Sequence, residues 1–112
     1  MAVSKGVARF LRVSPRKVRQ VINLVRGKGV LEAEEILKVM PRQAALPVRR
    51  LLVSTLSYAK TQKNAKPEEL FIGRISADGG PVLKRFRAAA MGRATRIRRP
   101  MTHLTIELER KS

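Results

Sequence analysis

The chain has no cysteine, no tryptophan and a single histidine among its 112 residues. Without cysteine there are no disulfides, no thiol nucleophile and no thiolate zinc site. One histidine with no cysteine cannot complete a zinc site either, and His103 reads as a residue on the polar face of a strand. No nucleophile, base and orienting group can be assembled. Gly79-Gly80 lacks the Lys-Ser/Thr pattern that follows a phosphate loop. No enzyme, cofactor, metal or small-molecule substrate is therefore expected. Aromatic residues are scarce as well, three Phe and one Tyr, which argues against base stacking on aromatics as the main mode of any nucleic-acid binding. No apolar run approaches the length of a membrane span, and Met1-Ala2-Val3-Ser4-Lys5-Gly6 lacks the apolar segment of a secretory signal.

Negative charge is also scarce beside positive charge. Eight Asp and Glu face 25 Lys and Arg, a formal net charge of +17. Such an excess repels itself in a compact state and favours a polyanionic partner. The acids are also clustered, as Glu32, Glu34 and Glu35, then Glu68, Glu69 and Asp78, then Glu107 and Glu109. Residues 1–31 and 79–106 carry none.

Hydrophobic residues make up 44% of the chain, enough for one packed domain over 1–112. Val7 to Val13 reads as a strand with Val7, Leu11 and Val13 on one face and Arg9 interrupting it. Ser14-Pro15 starts a helix, with Ser14 as cap and Pro15 at the first position. Val18, Val21, Ile22 and Val25 form its buried stripe, and Gly27 supplies its stop. A second helix runs from about Val30 to Met40, with Val30, Ala33, Ile36, Leu37 and Met40 on one side and the three glutamates in its first turn, near the positive end of the dipole. A third runs from about Arg42 to Lys63 on a stripe of Val48, Leu51, Leu52, Thr55, Leu56 and Ala59. Pro47 either begins that helix or kinks it. A strand follows from Leu70 to Ala77, with Phe71, Ile75 and Ala77 on one side, and Asp78-Gly79-Gly80-Pro81 marks a turn or bulge. The last strand alternates cleanly: Thr102, Leu104, Ile106 and Leu108 against Met101, His103, Thr105, Glu107 and Glu109, so one face is apolar and the other polar.

Residues 79–100 lie between those two strands; a structureless loop of that length in a small domain is uncommon and usually functional or disordered. If the strands continue as a ribbon, the arm projects about 30–35 Å, at ~3.3 Å per residue. A bare two-stranded ribbon is only marginally stable in water, so a partner is expected to fix it. The arm carries Lys84, Arg85, Arg87, Arg93, Arg96, Arg98 and Arg99 and no acid. Between its basic legs lies the neutral patch Ala88-Ala89-Ala90-Met91-Gly92. Charge runs are usually solvated faces, but those usually mix signs; this one fits phosphate binding. Structured RNA or duplex DNA, met through backbone and shape, fits better than a stacked single strand. Arg16, Lys17, Arg19, Arg26 and Lys28 form a second basic set. As one face of an amphipathic helix they would be ambiguous alone, but beside the arm they read as phosphate ligands near a helix N-terminus. A helix-turn-helix reading fails because Glu32, Glu34 and Glu35 would face the bases and phosphates.

Ser14-Pro15-Arg16-Lys17-Val18-Arg19, Arg26-Gly27-Lys28, Asp78-Gly79-Gly80-Pro81 with Lys84-Arg85, Gly92-Arg93-Ala94 and Thr102-His103-Leu104-Thr105 occur in one order and spacing. With these motifs the whole chain resembles the family of large-subunit ribosomal protein twenty-two, bacterial type. The resemblance implies an α+β fold, three helices packed on a small three-stranded antiparallel sheet with a long protruding β-hairpin. It implies a cytoplasmic, ribosomal location and a structural role in the large subunit: binding its ribosomal RNA, touching neighbouring ribosomal proteins and supporting assembly. It further implies that the hairpin tip, Ala88, Ala89, Ala90, Met91 and Gly92, lines the peptide exit tunnel and meets the nascent peptide. At that tip the chain has Ala88-Ala89-Ala90 where the family often has Pro-Arg-Ala. The alternative from another class is a basic nucleoid-type DNA-binding protein. Neither reading involves a membrane.

Overall fold

The protein is described by a computed structural model covering residues 2–79, 83–88, 94–99 and 101–111, the segments 83–88 and 94–99 by their backbone. The order of elements is β1 (Ala2–Leu11), α1 (Pro15–Ile22), α2 (Val30–Val39), α3 (Ala45–Gln62), a 3-10 turn (Pro67–Glu69), β2 (Leu70–Gly79), β3 (Leu83–Ala88), β4 (Ala94–Arg99) and β5 (Thr102–Arg110). β1, β5 and β2 form an antiparallel sheet in that spatial order. The helices cover one of its faces, which is the expected α+β arrangement of three helices on three strands.

β5 is central and follows the simple alternation. Thr102, Leu104, Ile106 and Leu108 are buried, and the residues between them are only half-buried. α1 lays Val18, Val21 and Ile22 against this sheet, and Val25 joins them. α3 contributes Val48, Leu52, Leu56 and Ala59, and α2 adds Val30, Ala33 and Leu37. Ile36, Met40 and Leu51 are partly buried at the rim of the same cluster.

The edge strands depart from the pattern expected of them. In β1 the expected inward face, Val7, Leu11 and Val13, is the wrong phase for most of the strand. Val7 is 43% exposed, whereas Ser4 is buried. The even positions meet α3: the Ser4 hydroxyl donates to the Thr55 carbonyl at 2.9 Å, and a methyl on Gly6 would collide with the Thr55 hydroxyl. α3 lies so close to β1 that only small residues fit between them, and small residues leave no hydrophobic alternation to read. One extra residue between Ala8 and Leu11 then shifts the register, and Leu11 returns to the core rim.

β2 changes phase for a similar reason. Leu70 and Ile72 are buried, then Ile75 and Ala77, with a register shift between Ile72 and Arg74. A bulge puts two residues opposite one and reverses which parity faces inward. Phe71, expected on the same side as Ile75 and Ala77, is therefore only half-buried. The strand also runs on to Gly79, so Asp78 and Gly79 are strand residues; Gly80 and Pro81 lie outside the described residues.

The helix ends follow from local chemistry. Ser14 Oγ accepts from the Lys17 amide at 3.4 Å, with Pro15 at the start of α1. α1 stops at Ile22, short of Gly27. Successive tight turns, Leu24 N–H to Val21 O and Val25 N–H to Ile22 O at 3.1 Å each, carry the chain onward, and Gly27 takes the left-handed conformation, φ 76°. Only Glu32 lies in the first turn of α2; Glu34 and Glu35 fall in the next, because the helix begins at Val30. Pro47 neither starts nor kinks α3. It is the third residue of a helix beginning at Ala45, inside the first turn, where its missing N–H had no intrahelical partner to lose.

Candidate nucleic-acid interface

The two basic sets sit on different kinds of scaffold. In the arm, Lys84, Arg85 and Arg87 belong to β3 and Arg96, Arg98 and Arg99 to β4. These strands pair with each other, antiparallel, in a sheet separate from the main one. The register sets Leu83 opposite Arg99, Lys84 opposite Arg98, Phe86 opposite Arg96 and Ala88 opposite Ala94. Of the tip residues, Ala88 closes β3, while Ala89, Ala90, Met91 and Gly92, together with Arg93, lie outside the described residues. Lys84 and Arg98 are register partners, and no acid follows in sequence until Glu107.

The second set divides into residues with and without a structural duty. Arg16 and Lys17 are exposed on the first turn of α1, and neither side chain has a hydrogen-bonding or ionic partner among the described residues. Arg19 instead reaches β2, where its Nε donates to the Ala77 carbonyl at 3.0 Å. Arg26 does the same one step along, its Nη1 donating to the Ile75 carbonyl at 2.7 Å and its Nη2 to Asn23 Oδ1 at 3.4 Å. β2 is an edge strand, so these carbonyls face away from β5 and need partners from elsewhere. The two guanidiniums supply them and fasten α1 to the sheet. A guanidinium has five N–H donors. Arg19 spends one on the protein and Arg26 two, so both retain donors for phosphate. Lys28 pairs with Glu32 at 3.9 Å, one helical turn away, and is the least available cation of the set.

The structure adds cations that the sequence did not single out. Arg9 and Arg12, at the end of β1 and just beyond it, are exposed and have no partner among the described residues. Their signal lies in the acid-free stretch 1–31, where the strand alternation reports only their apolar neighbours. Several acids elsewhere are already opposed: Glu107 by Arg74 at 4.0 Å and Glu69 by Arg110 at 3.8 Å. Among the described residues no group of His, Asp and Glu could hold a metal ion, and no helix is long and apolar enough to cross a membrane. The arrangement can hold polyanions at several separated places.

The family described as Ribosomal protein L22p/L17e matches residues 6–109. The chain is 48% identical over 108 residues to the large ribosomal subunit protein uL22 of Syntrophotalea carbinolica, covering 96% of this chain and 98% of that protein. It is 46% identical over 102 residues to uL22 of Geobacter sulfurreducens, covering 91% and 92%, and 42% identical over 108 residues to uL22 of Halothermothrix orenii, covering 96% of each.

Proposed function

The chain belongs to the ribosomal protein L22p/L17e family and is a structural constituent of the large ribosomal subunit, not an enzyme; on that premise we propose that it binds large-subunit ribosomal RNA at two places and sets the tip of residues 79–100 in the wall of the peptide exit tunnel. The arm legs neutralise phosphates through Lys84, Arg85, Arg87, Arg93, Arg96, Arg98 and Arg99. Arg16, Lys17, Arg19, Arg26 and Lys28 hold the globular part to a second stretch of RNA, and neighbouring ribosomal proteins complete the surroundings. The neutral tip, Ala88 to Gly92, meets the nascent peptide. Its lack of charge suits a surface that must hold neither phosphate nor a passing chain tightly.

The observation that carries this reading is the pairing of β3 with β4 in a register that sets Lys84 opposite Arg98, within a stretch that holds no acid from residue 79 to residue 106. A strand pair with that charge pattern is suited to a polyanion that supplies the missing negative charge. Each phosphate contact contributes to the slope of log affinity against log salt. Replacing Arg96, Arg98 and Arg99 together with Ala should weaken binding to transcribed large-subunit RNA and reduce that slope by up to about three, roughly one per lost contact. An unchanged slope would show that they do not meet phosphate. Competition with duplex DNA at fixed salt tests the nucleoid alternative, which requires comparable affinity for both. Crosslinking from position 91 in assembled subunits tests the tip, with nascent chain and tunnel RNA as the expected products.

A further inference from the structure

Phe10 is held in a conformation that a phenylalanine rarely adopts. Its φ is 58°, in the left-handed region, where a bulky side chain is an outlier with a cause to be found. It sits in the extra length of β1 between Ala8 and Leu11, where the register with β5 shifts. Two contacts with one residue hold it there. Its backbone N–H donates to His103 Nδ1 at 3.2 Å, and the two rings stand edge to face, their centroids 4.9 Å apart and their planes at 83°. Accepting at Nδ1 places the neutral ring's proton on Nε2. The result does not bury the phenyl group, since Phe10 remains 55% exposed. Nor does the strain serve the core, which a glycine at this position would leave equally well packed. What the strained bulge does is present an aromatic ring held by His103, close in the chain to Arg9 and Arg12, two exposed cations without a partner among the described residues.

We propose that Phe10 is a stacking platform for one unpaired base of the bound RNA, oriented by His103 and flanked by Arg9 and Arg12 on the neighbouring phosphates. This rests on the RNA-binding reading above and adds a site of different chemistry to it. Phosphate contacts dominate affinity and depend on salt. A base stacked on an aromatic ring adds affinity with little dependence on sequence, and Phe10 carries no charge with which to displace counterions. RNA is preferred over an apolar protein surface because Phe10 lies between Arg9 and Arg12 in the chain, within a stretch, 1–31, that has no acid. His103 acts here as a positioning residue.

The test uses the full chain and transcribed large-subunit RNA. Phe10→Gly removes the ring and relieves the backbone, since glycine adopts positive φ freely. It should therefore keep or raise the thermal midpoint while weakening RNA binding about five- to hundredfold, the range for loss of one stacked base. The salt slope should stay unchanged, and Phe10→Tyr should bind as the parent does. His103→Ala should weaken binding in the parent and add little to the loss in Phe10→Gly. Parent-like affinity in Phe10→Gly, or a photocrosslink from position 10 to another ribosomal protein in place of RNA, overturns the proposal. Failure of the parent itself to bind the RNA strikes instead at the wider reading.

Discussion

At Gly6 the backbone of β1 lies against the side chains of α3. A methyl group built there lies 3.1 Å from Leu51 Cδ1 and runs into the Thr55 hydroxyl. That hydroxyl is anchored by donation to the Leu51 carbonyl at 2.7 Å, and the Thr55 carbonyl in turn holds Ser4. Gly6→Ala is expected to destabilise by about 1–3 kcal/mol, the range for overpacking. The reading is a lower denaturation midpoint at unchanged slope; an unaltered midpoint would mean that strand and helix separate without cost. Arg26 and Arg16 make a useful contrast. Arg26 donates to the edge of β2, so Arg26→Ala should lose about 1.5–3 kcal/mol, as for a hydrogen bond from a charged group, and some RNA affinity too. Arg16 is exposed and unpartnered among the described residues, so Arg16→Ala should lower RNA affinity while stability moves by no more than about 0.5 kcal/mol. Equal stability losses in the two variants would refute the division of labour between them.

The elements differ in how openly they declare themselves. α1 and β5 are plain in the sequence, because Val18, Val21, Ile22 and Val25 keep helical spacing and Leu104, Ile106 and Leu108 keep strict alternation, and all seven are buried. β1 and β2 conceal their phase. Each contains a register shift, and β1 faces α3 with Ser4 and Gly6, which carry no hydrophobic signal. Pro47 was ambiguous because the residues before it, Ala44 to Leu46, have no cap; no side chain caps α3. β3 and β4 pair with each other in their own sheet, and the core cluster of described residues closes through the three helices, β2 and β5. Deleting residues 84–98 and joining the ends with a short turn should therefore leave a cooperative unfolding transition. Loss of that transition would mean that the arm contributes to the core.

For the whole molecule the dominant quantity is a net charge of +17. Its self-repulsion opposes compaction, and salt screens it over a Debye length of about 8 Å at physiological ionic strength. Raising salt from low to moderate levels should thus raise the unfolding midpoint of the free protein, while the same change weakens RNA binding steeply. Opposite signs in the two measurements are the expected outcome. A midpoint that fell with salt would show that attractive pairs such as Arg74 with Glu107 outweigh the repulsion. The distribution of charge matters as much as its sum. Acids of each cluster are opposed by a nearby cation at Glu32, Glu69 and Glu107, so the neutralised charge lies in the globular part, and the stretches without acid are left for a partner.

Charge segregation, the lack of cysteine beside a single histidine, the helical stripes and the alternation of β5 are properties of residue identity and spacing, and they are legible without any fold. The expectation of a polyanionic partner likewise rests on residue identity and spacing alone, on two long stretches without acid. The phase of β1 and β2, the engagement of Arg19 and Arg26 with the edge of β2, and the strained Phe10 bulge against His103 are not legible in this way. Each depends on residues far apart in the chain meeting at a distance set by packing: α3 on Gly6, α1 on Ile75 and Ala77, and β5 on the end of β1. One-dimensional spacing reports which face of an element is apolar. Which neighbour that face meets, how closely, and which cations are thereby committed to the protein are settled only when the elements pack together.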